Sequence, residues 1–169
     1  MPIRIFARAL ATLLGAAWLG APANAATQSA SINASVSKSL VLSSLQDLNF
    51  GTITIGPGTW SNATVSLSQA GALSCGSVNL ICSGATQVAM YNVQGSNKQA
   101  VTITAPNVTL VNQSDPTKSL TLVPNAPATV VLTSSGKPGV DFSIGGSVTL
   151  SSTTPAGTYV GTFNVTVDY

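Results

Sequence analysis

From Tyr159 to Tyr169 the chain alternates without interruption. Tyr159, Gly161, Phe163, Val165, Val167 and Tyr169 form one apolar row, and Val160, Thr162, Asn164, Thr166 and Asp168 a mostly polar one. Period two marks a strand with one face in a core and the other in water. A sequence that stops on such a strand predicts an edge with nothing after it to cover it. An open strand edge has to be paired or guarded, so the pattern bears on association as well as on fold.

The same alternation runs through the rest of the chain. It is present at Ile32, Ala34 and Val36 and continues at Leu40 and Leu42 with Lys38 interrupting, which fits one long strand or two short ones. Strands are also predicted at residues 48–55, 63–67, 87–93, 100–105, 120–123, 129–133, 140–144, 147–150 and 159–169. Turn chemistry separates them: Gly56-Pro57-Gly58, "QGSNK" from Gln94, "NQSDPTK" from Asn112, "PNAP" from Pro124, "SSGKPG" from Ser134, Gly145-Gly146 and "TTPAG" from Thr153. No segment carries a helical period. Short strands at this spacing, rich in Val and Thr, predict an all-β sandwich or barrel.

The first residues are read separately. Arg4 and Arg8 precede the apolar run "ALATLLGAAWLGA", and "PANA" ends at Ala25. This is the pattern of a secretory signal peptide over residues 1–25, cut between Ala25 and Ala26. The apolar run, about 13 residues, is too short for a bilayer, which needs about 20. The expected mature chain is a single domain over residues 26–169, large enough to bury roughly 70% of its unfolded surface.

Removal of the leader takes both arginines with it. Lys38, Lys98, Lys118 and Lys137 then balance Asp47, Asp115, Asp141 and Asp168. A neutral chain has no basic patch for nucleic acid or anionic lipid. Six residues lie between Cys75 and Cys82, and in an exported protein the pair predicts one local disulfide acting as a hairpin staple. A zinc or redox pair would need C-x-x-C spacing or a histidine, and the chain has no His.

Catalysis has little to draw on. There is no His and no Glu, and nucleophilic or paired-carboxylate chemistry would rest on four scattered aspartates. Asp115 and Asp141 lie in or beside turns, where local backbone bonding is their expected role. The expectation is a non-enzyme without cofactor or metal. Five N-x-S/T triplets, at Asn33, Asn62, Asn107, Asn112 and Asn164, follow from a composition rich in those residues. Trp60 and Tyr91 are expected to pack in the core or a turn; an exposed Trp60 would instead suit a glycan-binding module.

Three stretches together resemble a known family. "DLNFGTI" at residues 47–53, "FSIGGSVTL" at 142–150 and "TPAGTYVGTFNVTVDY" at 154–169 are similar to the secreted bacterial proteins grouped as domain of unknown function 4402. More distantly they resemble spore coat protein U and subunits of archaic chaperone–usher pili, although those pilins usually carry a cysteine near the first strand. The resemblance implies an immunoglobulin-like antiparallel β-sandwich exported through the periplasm of a Gram-negative bacterium. It also implies a fimbria-like surface subunit whose partners are like subunits and a periplasmic chaperone and usher.

In such pilins a strand from the next subunit fills a groove by β-strand addition. On that reading Ile32, Ala34 and Val36 are the candidate donor strand, and Tyr159, Phe163, Val165 and Val167 the candidate acceptor strand. The alternation at Ile32–Ala34–Val36 also allows the segment to be the domain's own first strand.

Overall fold

The computed structural model describes residues 27–169. They fall into two units. Residues 27–34 hold no strand and are exposed, and Ser35–Tyr169 is a compact β unit. Its strands are β1 (Val41–Gln46), β2 (Thr52–Ile55), β3 (Ala63–Leu67), β4 (Leu73–Cys75), β5 (Leu80–Ser83), β6 (Ala89–Gln94), β7 (Ala100–Thr104), β8 (Val108–Asn112), β9 (Ser119–Asn125), β10 (Thr129–Val131), β11 (Val140–Leu150), β12 (Tyr159–Val160) and β13 (Thr166–Asp168). There is no helix among the described residues.

The expected all-β antiparallel sandwich is what these strands build. The largest sheet has the order β1-β6-β11-β9-β8-β12, with β3 added to β11 and β4 to β3. A second sheet, β10-β7-β13, and a two-stranded ribbon, β2-β5, complete the set. Every ladder is antiparallel.

Three stretches leave one sheet for another as they run. β7 and β8 belong to different sheets, and so do β9 and β10, and β12 and β13. Two of the breaks fall at Pro106 and Pro127, where proline cannot donate to a ladder, and the third at residues 161–165. Across each break the register slips by one residue. Thr102 pairs Thr129 but Val108 pairs Leu122, and Asn112 pairs Tyr159 but Thr104 pairs Thr166. Such slips bend strands at sandwich corners.

β11 is the spine. Its first half pairs β6, and its second half lies between β3 and β9. The Gly145-Gly146 pair, expected to be a turn between two strands, lies inside this single strand. A Cβ on Gly145 would collide with the backbone carbonyl of Leu67. The glycines therefore permit close approach of strands rather than chain reversal.

Other strand expectations are also corrected. Residues 48–55 form a strand only from Thr52, and residues 159–169 form two short strands rather than one. β4, β5 and β8 arise where none was expected. The segment at Ile32, Ala34 and Val36 is not a strand; the first begins at Val41.

The buried residues form two clusters. One contains Ala89, Val93, Val101, Ile103, Leu132, Phe142 and Ile144, between the β1-β6-β11 face and the β10-β7-β13 sheet. The other contains Ala63, Val65, Leu80, Leu122, Val148 and Leu150, between the β3-β11-β9-β8 face and the β2-β5 ribbon. Leu48 and Phe163 pack against both.

Candidate functional site

Seven strands, β1, β2, β4, β5, β10, β12 and β13, have one laddered neighbour each, and four of these border the candidate site. β1 pairs only β6, β2 only β5, β12 only β8 and β13 only β7. Two walls follow from this. One is the stretch from β1 through Leu48 and Phe50 to β2, and the other is β12 through Phe163 to β13. No ladder joins them among the described residues. The apolar side chains along both walls remain partly exposed: Leu42, Leu48, Phe50, Ile53 and Ile55 on one, and Phe163, Val165 and Val167 on the other, all packed against the two cores. These side chains, with the unpaired strand edges beside them, make up the candidate apolar seam of the sandwich.

The wall edges differ in how they are guarded. β1 carries a bulge at Leu45, where the register against β6 shifts. A bulge is a standard way to spoil an edge for pairing. β2, with the sequence Thr-Ile-Thr-Ile, has neither bulge nor charge nor proline. β12 and β13 have one charge, Asp168, which is exposed.

Aromatic rings meet where Phe163 packs against the first core. Tyr91 on β6 stacks on Phe142 with centroids 5.7 Å apart and meets Phe163 edge-on at 6.3 Å. Burial pushes the Tyr91 phenol above its ordinary range; Ser44, by hydrogen bonding, opposes the shift, and the charge of Asp47 adds to it.

The candidate acceptor residues do not act as one strand. Phe163, Val165 and Val167 pack inward, as the odd-numbered row requires. Tyr159 figures in neither core, and its hydroxyl donates to the Pro155 carbonyl at 2.8 Å. Its neighbour across the ladder, Asn112, is buried. The Asn112 amide donates to the Ala156 carbonyl at 3.1 Å and accepts from the Ser114 N–H at 2.8 Å. A Cβ on Gly157 would strike that amide.

The candidate donor residues are open. Ile32 and Val36 are 91% and 90% exposed, and Ala34 is exposed as well. The expected cleavage site at Ala25 and Ala26 lies outside the described residues.

Cys75 and Cys82 are bonded, as expected. They do not staple a hairpin, because β4 belongs to the large sheet and β5 to the β2-β5 ribbon. The bond ties one sheet to another, and with it the β2 wall of the seam. Trp60 packs against the second core, and its indole N–H donates to the Gly56 carbonyl at 3.4 Å. That is the expected packing role. No cluster of metal-ligating side chains occurs among the described residues.

Sequence reasoning singled out one wall of the seam and not the other. Leu48 and Phe50 were predicted within a strand over residues 48–55 and as part of a family motif, but not as a wall; the signal that could have found it is their alternation with Ile53 and Ile55 on a shifted phase.

The fold places the chain in the class of all-β antiparallel sandwich-like domains. The chain belongs to the family described as Domain of unknown function (DUF4402), which matches residues 40–169. No curated protein and no solved structure matches it.

Proposed function

We propose that this protein is an exported, non-enzymatic structural subunit of a fimbria-like surface assembly, built on an immunoglobulin-like sandwich and assembled by β-strand addition. The seam between the β1–β2 and β12–β13 walls is the acceptor. The segment around Ile32, Ala34 and Val36 of a second copy is the occupant, delivered with the help of a periplasmic chaperone and usher.

One observation carries this reading. The domain leaves strand edges unpaired beside half-exposed Phe163, Val165 and Val167, while Ile32 and Val36 are 91% and 90% exposed. Each side has what the other lacks. An added strand supplies backbone hydrogen bonds along the edge, and alternate side chains fill the gaps. Burying Ile32 and Val36 contributes about 1.5–3 kcal/mol each. Neither the donor nor the seam rows carry charge except Lys38, Asp47 and Asp168 at their margins, so no desolvated ion opposes the docking.

The test is a denaturing gel of unboiled protein beginning at Ala26. An SDS-resistant ladder that disappears on deletion of residues 26–37 supports strand addition. A monomer indifferent to that deletion contradicts it.

A further inference from the structure

Lys38, at the root of the donor segment, is held in an unusual way. Its N–H donates to the Ser96 hydroxyl at 2.7 Å, and its carbonyl accepts from the Tyr169 hydroxyl at 2.6 Å. The Ser96 N–H in turn donates to the Tyr169 hydroxyl at 2.7 Å, closing a ring of three residues. Lys38 precedes β1 and has no ladder of its own, so side chains distant in sequence satisfy both of its backbone groups. The packing beneath is tight: a Cβ on Gly95 would collide with the Tyr169 hydroxyl, Leu132 and Leu40.

This clasp stands at one end of the seam. β13 runs into Tyr169 on one wall, and β1 runs away from Lys38 on the other. For a chain to fill its own seam, the donor segment would have to fold back on β1 as a hairpin turning at residues 37–39. Those residues are Ser37, Lys38 and Ser39, with no Gly, Asn, Asp or Pro among them. Two-residue hairpin turns demand positive φ and favour Gly, Asn and Asp. The fold-back would also have to release Lys38 from the clasp.

We propose that the Tyr169 hydroxyl, with Ser96, is a positioning group that decides whose strand fills the seam: it holds Lys38 extended, denies the donor segment a return into its own domain, and leaves the seam for a second copy. The proposal rests on strand addition being the mode of assembly. Tyr169 acts through Lys38 and does not itself touch the incoming strand.

The experiment compares the chain from Ala26 with its Tyr169→Phe and Ser96→Ala variants, and with Lys38→Asn/Ser39→Gly/Tyr169→Phe, which adds a turn sequence suited to a hairpin. Light scattering after gel filtration reads assembly, and amide hydrogen exchange of residues 30–36 in the monomer fraction reads self-filling. Expected is that each single variant needs about tenfold more protein for half-assembly, the scale of one lost hydrogen-bonding group, and that its donor amides gain protection in the monomer fraction. The triple variant should be a monomer with its donor amides protected.

Equal assembly of all variants, with donor amides exchanging freely in every monomer, overturns the clasp while leaving strand addition intact. A parent chain whose association is unchanged by removing residues 26–37 overturns strand addition, and the clasp with it. A single variant that assembles less while its donor amides stay unprotected in the monomer also counts against the clasp, because general weakening of the fold would do the same.

Discussion

Phe163 meets Tyr91 edge-on, ring centroids 6.3 Å apart, and packs together with Leu48 against both halves of the core. Phe163 lies in the unladdered stretch between β12 and β13, so side-chain packing there substitutes for backbone pairing. Replacing it with alanine should destabilise the domain by about 2–3 kcal/mol. That is below the 3–5 kcal/mol of a fully buried Phe, because the ring is half-exposed. Urea denaturation of wild type and Phe163→Ala measures it, and a change under 1 kcal/mol would mean the ring contributes little to either core.

Asn112 is the buried polar residue of the described fold, and it organises the corner from β8 to β12. Asn112→Leu would leave the Ser114 and Asp115 N–H groups and the Ala156 carbonyl without their partner. The expected cost is about 2 kcal/mol, read as a lower denaturation midpoint at unchanged slope.

Reducing the Cys75–Cys82 bond should cost about 2–3 kcal/mol in the chain-entropy account. Because the bond joins β4 to the β2-β5 ribbon, the loosening should be local. Hydrogen exchange after reduction should rise first at Thr52–Ile55 and Leu80–Ser83, and leave β11 protected. Uniform acceleration across the domain would contradict that placement.

Tyr91 sets an alkaline limit. Its phenol is held above the ordinary value of about 10 by burial, so the fold favours the neutral form. Its contribution to stability is complete below the unfolded value and is lost as pH rises through the folded one. Tyr91→Phe should remove that part of the alkaline loss, visible as a flatter profile of melting temperature between pH 9 and about 11. A profile identical to wild type would place the sensitivity elsewhere.

Period two made the fold class and the inward row at Phe163, Val165 and Val167 legible, because alternation reports directly which side chains face a core. Strand continuity was not legible. Nothing in the alternation at residues 159–169 betrays that β12 and β13 ladder with different sheets, since the odd-numbered row keeps its phase across the break. Gly145-Gly146 carries the composition of a turn and serves close packing against Leu67, a distinction that depends on a partner strand distant in sequence. The clasp at Lys38 was invisible for the same reason: Ser96 and Tyr169 are unremarkable until the fold brings them to one backbone residue. β4 and β5 escaped notice because three- and four-residue strands hold too few alternations to stand out from loop sequence.

Strand addition by a second copy is the central claim, and the molar mass of the chain beginning at Ala26 tests it most directly. Light scattering after gel filtration, over a range of concentrations, is compared for that chain and for one lacking residues 26–37. The prediction is a series of multimers in the first and a monomer in the second, with assembly in the first also abolished by Ile32→Asp/Val36→Asp. The same monomer mass for all three proteins at every concentration would contradict it.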